Sequence, residues 1–180
     1  TPQLTLETGT TDRIVNYASG SGSNTLIFSY TVQAGDTSAD LDYLSTTALT
    51  LNSGTIKDGA GNDSILTLAT PAATNSLGAN KAIIIDTTAA APALTLAVDT
   101  GSSTSDTITN NSLVNVSGLE TGATWQYSTD AGSNWSSGTG SSFTVSGDGA
   151  KSVTVRQTDA AGNTSSASTQ FSALRCSARS

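Results

Sequence analysis

Apolar and polar residues alternate in short runs along the whole chain. Leu4 and Leu6 alternate with Gln3, Thr5 and Glu7, and residues 13–17 do so less cleanly. Leu26, Phe28, Tyr30 and Val32 are spaced by two, which places their side chains on one face of a strand. This is the clearest strand signal of the first half, and its apolar face is expected in the core. Leu49 with Leu51, Leu66 with Leu68, and residues 81–86 continue the strand pattern, whereas 39–44 has mixed periodicity and reads as a crossing loop or one helical turn. In the second half the alternating runs are centred on Leu94/Leu96/Val98, Val114/Val116, Trp125–Tyr127, Phe143/Val145, Val153/Val155 and Ser168–Ala173. No window of about 12 residues has helical apolar spacing.

The runs are separated by Gly, Asn, Asp and Ser, the residues that close tight turns. One phrase occurs twice, Asp58-Gly59-Ala60-Gly61-Asn62 and Asp159-Ala160-Ala161-Gly162-Asn163, each after a strand-like segment. Between them, Ile83-Ile84-Ile85-Asp86 gives way to the small-residue stretch Thr87-Thr88-Ala89-Ala90-Ala91-Pro92. That junction reads as the last strand of one domain feeding the first strand of the next. The expected domains are 1–86 and 87–173, followed by a tail, 174–180. Short alternating strands with turn signals every 8–12 residues or so indicate an all-β fold of two tandem immunoglobulin-like β-sandwiches. Trp125, on the third strand of the second unit, stands where such sandwiches bury a tryptophan.

Composition narrows the partners. The 180 residues hold 7 Lys and Arg against 14 Asp and Glu, a net charge of -7, with no His, no Met and one Cys. Such a surface repels phosphate backbones and anionic membranes, so nucleic acid is excluded as a partner and divalent cations become the natural counter-ions. No run approaches the roughly 18 apolar residues of a membrane span. The first residues lack the basic, apolar, small-residue progression of a signal peptide, so the chain is expected to be a fragment whose export signal lies elsewhere.

Catalysis finds little to work with. There is no Gly-x-Ser-x-Gly, no phosphate loop and no Cys/His metal spacing. Cys176 has no histidine to activate it, and Asp40 and Asp42, the nearest carboxylate pair, lie in a loop-like stretch and read as solvated loop charges. The expectation is a protein that is not an enzyme.

Several longer phrases carry a resemblance: Leu44-Ser45-Thr46-Thr47-Ala48-Leu49, Gly54-Thr55-Ile56-Lys57-Asp58 and Ser76-Leu77-Gly78-Ala79-Asn80-Lys81 in the first half, and Val116-Ser117-Gly118-Leu119-Glu120, Trp125 to Asp130 and Val155-Arg156-Gln157-Thr158-Asp159 in the second. They resemble the bacterial immunoglobulin-like repeats of giant secreted adhesins of the repeats-in-toxin or biofilm type. The resemblance reaches to about Ala167. It implies a secreted, cell-surface module for adhesion or biofilm formation, flanked by neighbouring repeats of the same protein and stiffened by Ca²⁺. Repeats similar to the first unit carry two more strands before Thr1, so the first unit is expected to lack its N-terminal strands. Leu174–Ser180 matches nothing in the family, and reads as sequence foreign to it.

In an immunoglobulin-like sandwich, the loop holding Glu120 and the loop holding Asp159 lie at the pole where the chain arrives, and Asp86 arrives there too. Asp86, Glu120, Asp159 and Asn163 are therefore the candidate Ca²⁺ ligands, an all-oxygen set of the kind that ion accepts. Asp58, Asp63, Asp99 and Asp106 form a second group of candidate loops. The competing reading is that Asp159 and Asn163 satisfy backbone groups of their own turn.

A lectin-like pair of carbohydrate-binding domains is the alternative to a structural stalk. Trp135, Tyr43 or the acidic loops would then hold the sugar, and an exposed Trp135 is the discriminating feature. Lastly, a first unit without its opening strands would leave Leu4, Leu6, Leu26, Phe28 and Tyr30 beside an open strand edge. That edge is expected to recruit a strand from another copy, for example Thr169–Ala173 donated in trans, the conservative reading being that this segment is the last strand of its own domain.

Overall fold

The structure is a computed structural model that describes residues 1–100, 102–169 and 171–175, the last segment by its backbone alone. It is all-β, with one short helix among the described residues. The chain divides into two units, Thr1–Thr87 and Thr88–Ser180.

The first unit is built on β1 (Gln3–Leu6), β2 (Arg13–Ser19), β3 (Ile27–Phe28) and β4 (Leu49–Thr50). These form one antiparallel sheet in the order β3-β2-β1-β4, with Leu4 opposite Val15 and Leu6 opposite Arg13. Leu6 and Val15 point into a core completed by Leu41, Tyr43, Ala48 and Ile85, with Phe28, Tyr30, Leu68 and Leu77 packed around it. The covering layer is irregular chain held by single bridges, Leu6 to Tyr43 and Ser38 to Ile85. One helical turn, α1 (Leu77–Asn80), is capped by Ser76, whose hydroxyl accepts the Ala79 N–H.

Three expectations fail here. Leu66/Leu68 and residues 81–86 do not form strands, although Leu68 and Ile85 still reach the core. The run from Leu26 to Val32 pairs only at Ile27 and Phe28, because β2 shifts register between Tyr17 and Ser19 and the ladder stops. Leu26 and Val32 are consequently exposed, and Phe28 and Tyr30 alone turn inward.

The second unit contains β5 (Ala93–Leu96), β6 (Ile108–Thr109), β7 (Leu113–Ser117), β8 (Thr124–Ser128), β9 (Ser136–Ser137), β10 (Ser142–Thr144), β11 (Gly149–Thr158) and β12 (Phe171–Arg175). Two sheets, β10-β7-β5 and β6-β12-β11-β8-β9, contribute to one core. Alternation places Val114 and Val116 of β7 opposite Val153 and Val155 of β11, and the last two are fully buried. Each such valine contributes about 1.5–3 kcal/mol relative to an exposed one. Trp125 lies in this core with Tyr127 and Phe143, and the last two stack at 4.2 Å. The indole Nε1 donates to the Gly140 carbonyl at 3.0 Å, so the buried ring has no unmet polar atom.

The last described strand runs two residues past position 173. Leu174 and Arg175 belong to β12, which pairs with β11 in antiparallel register and with β6 in parallel. The segment 171–173, considered for donation to another copy, is thus paired within its own unit. Gln170 and residues 176–180, including Cys176, lie outside the described residues.

Candidate functional site

Three loops share one construction. In each, an aspartate accepts the backbone N–H of the asparagine four residues later through Oδ1 and that asparagine's side-chain N–H through Oδ2. The pairs are Asp58–Asn62 (2.9 and 2.8 Å), Asp130–Asn134 (2.9 and 2.7 Å) and Asp159–Asn163 (2.8 and 2.8 Å). Left-handed residues bend the chain tightly enough for this, Gly61 at φ 91° and Gly162 at φ 93° in the outer two, and Ala131 and Gly132 in the middle one. The donors stabilise the ionised carboxylates. Asn62 holds Asp58 and Asn163 holds Asp159 below the ordinary carboxylate range, and Asn134 with Ser128 brings Asp130 down to about 2. The repeated phrase at 58 and 159 was visible in the sequence. The third copy was hidden because its glycine stands one position earlier.

The pole of the second unit next to the connector is organised by Gln157. Its side chain is fully buried; Nε2 donates to Ala90 O at 2.7 Å and Gly118 O at 3.2 Å, and Oε1 accepts from Glu120 N at 2.8 Å. Glu120 Oε1 in turn accepts the Ala90 N–H at 2.7 Å. Both backbone groups of Ala90 are therefore held. On the other side of the connector, the Thr87 hydroxyl accepts the Gly35 N–H at 3.1 Å and donates to Asp36 O at 2.9 Å. Only Thr88 and Ala89 separate these two anchored residues. Gln157 was missed in the sequence, where it sits unmarked in a strand; its inward register beside Val153 and Val155 was the available signal.

Of the candidate Ca²⁺ ligands, Asp159 and Asn163 come together, but on each other. Glu120 is engaged with Ala90, and Asp86 belongs to the first unit. In the second group, Asp58 closes its own loop, Asp63 pairs with Lys57, and Asp106 accepts the Ile108 N–H at 3.0 Å. Asp99 Oδ2 accepts the Thr107 N–H at 3.0 Å, while its Oδ1 is buried with no partner among the described residues. Among the described residues no three His, Cys, Asp or Glu side chains gather as a metal-holding group. An ion at the Asp159 loop would use carboxylate lone pairs that the Asn163 donors leave over.

Two carboxylates of the first unit are buried: Asp36, which the sequence did not mark, and Asp42 of the nearest carboxylate pair, which was expected as a solvated loop charge. Asp36 is 1% exposed and receives the Arg13 guanidinium at 2.7 Å, the Tyr30 hydroxyl at 2.6 Å and the Gln33 N–H at 2.9 Å. The Arg13 bond leads in lowering it to about 2, against its burial, and burial followed by the Asp36 contact pushes Tyr30 up to about 12. Asp42 is raised by burial, but the N–H of Ala72 and other donors outweigh this and leave it below its usual value. Tyr43 is 7% exposed and donates to Ala69 O at 2.7 Å, which places it in the core rather than at a sugar platform. Trp135 is half-buried, with the Arg156 guanidinium 4.1 Å from its ring centroid. Neither a scan against protein-family models nor a search of curated proteins finds a match to the chain.

Proposed function

We propose that the chain is a structural and adhesive module of a large bacterial surface adhesin, made of two immunoglobulin-like repeats. Its role is length, stiffness and presentation outside the cell, in line with other repeats of the same protein. The observation that supports this reading most directly is the connector. Thr87 is fixed to Gly35 and Asp36, Ala90 is fixed to Gln157 and Glu120, and two residues lie between. A binding domain pair that works independently has no need of such anchoring; a load-bearing series does, because slack would accumulate at every joint. Ca²⁺ is part of the proposal as counter-ion to the acidic loops of Asp86, Glu120 and Asp159.

Amide relaxation tests the connector. The two units should share one rotational correlation time, and a chain with four glycines inserted between Thr88 and Ala89 should show two. Separate correlation times in the unaltered chain would overturn the reading.

A further inference from the structure

The outward face of β8 and β11 carries a feature that the stalk reading does not use. Arg156 on β11 stands opposite Gln126 on β8, and its Nε and Nη2 both donate to Gln126 Oε1, at 3.0 and 2.8 Å. Its guanidinium lies over the Trp135 ring at 4.1 Å. The aromatic face and the amide oxygen thus fix the plane of the cation. Among the described residues no carboxylate is within ion-pair distance of it, and its remaining N–H groups have no protein acceptor. In a chain with twice as many acids as bases, an oriented cation without a carboxylate partner is an unusual arrangement.

Arg156 lines an open groove of about 460 Å³. The other walls are Thr124, Gln126, Ser137 and Thr158, with Gly138 and Trp125 as the apolar part, and no Asp or Glu. Hydroxyl and amide groups of this kind match sugar hydroxyls, and a planar guanidinium matches a carboxylate through two parallel bonds. One cation balances one carboxylate, whereas a phosphate dianion would leave charge uncompensated.

We infer that this groove binds a carboxylate-bearing saccharide, with Arg156 on the acid group and the hydroxyls of Thr124, Ser137 and Thr158 on the ring. Trp135 then acts through Arg156, as the support that holds the guanidinium, and does not stack on the sugar itself. The inference concerns the second unit alone and stands or falls separately from the stalk reading.

The test is a nuclear magnetic resonance titration of the full chain with glucuronate, glucose and acetate as probes. Glucuronate should shift the amides of Gln126, Ser137, Arg156 and Thr158; glucose should shift none, and acetate should bind roughly tenfold more weakly for want of the ring contacts. Arg156→Gln should abolish the glucuronate shifts, and Arg156→Lys, which keeps the charge but loses the fork, should weaken binding roughly tenfold. Melting curves of both variants confirm that they are folded, and the three probes need no variant at all. Absence of glucuronate shifts at tens of millimolar, equal binding of acetate, or unchanged binding by Arg156→Lys would each overturn the inference.

Discussion

Gln157 Nε2 donates to the carbonyl of Ala90 at 2.7 Å, tying the last residues of the connector to a strand 67 positions further along the chain. The same side chain accepts the Glu120 N–H, so one buried amide serves three segments. Replacing it by leucine leaves a donor and two acceptors without partners around a side chain that is itself fully buried. Gln157→Leu is expected to lower stability by about 2–4 kcal/mol in chemical denaturation. A loss under about 0.5 kcal/mol would show that water reaches this pole.

Gly138 lies directly on the buried Trp125. A Cβ at that position would come within 2.3 Å of the indole ring, and Gly138 also donates its N–H to Trp125 O at 2.9 Å. Gly138→Ala should therefore displace the ring and cost about 1–3 kcal/mol, with a shifted tryptophan fluorescence maximum. An unchanged spectrum and melting temperature would show that the ring has room to move.

Stability of the first unit should fall at both ends of the pH scale. Asp36, lowered to about 2 chiefly by Arg13, contributes above the ordinary carboxylate range, and that contribution is lost as pH falls from about 4 to about 2. Tyr30, raised to about 12 by burial and by Asp36, contributes below about pH 10, and that contribution is lost as pH rises towards 12. Melting temperature against pH checks both slopes. In Asp36→Asn the acid slope should flatten; an identical slope would assign it to other carboxylates.

Calcium should stabilise the chain. With an affinity of about 1 mM, in the extracellular-module range, about 10 mM Ca²⁺ adds about 1.4 kcal/mol relative to chelator. Asp159→Ala should abolish this increment. Coincident melting curves in Ca²⁺ and chelator would remove Ca²⁺ from the proposal.

The all-β class was legible in the period-two runs, and the second unit followed them closely because Val114/Val116, Trp125/Tyr127, Phe143/Val145 and Val153/Val155 recur at every second position. The first unit was less legible. Leu41, Tyr43 and Ile85 reach its core from irregular chain, where no period constrains the side chain, and the register shift in β2 cut short the strand of Leu26 to Val32. The Asp159–Asn163 turn was readable because its partners are four residues apart. The pairings of Gln157 with Ala90 and Arg13 with Asp36 span distances in sequence that only the folded chain closes, and nothing local announces them.

Stretching single chains by their ends tests the stalk proposal most directly. A load-bearing pair with an anchored connector should give two discrete unfolding events, one for each unit, and Gln157→Leu should weaken the event that belongs to the second. Smooth extension without discrete events would contradict it.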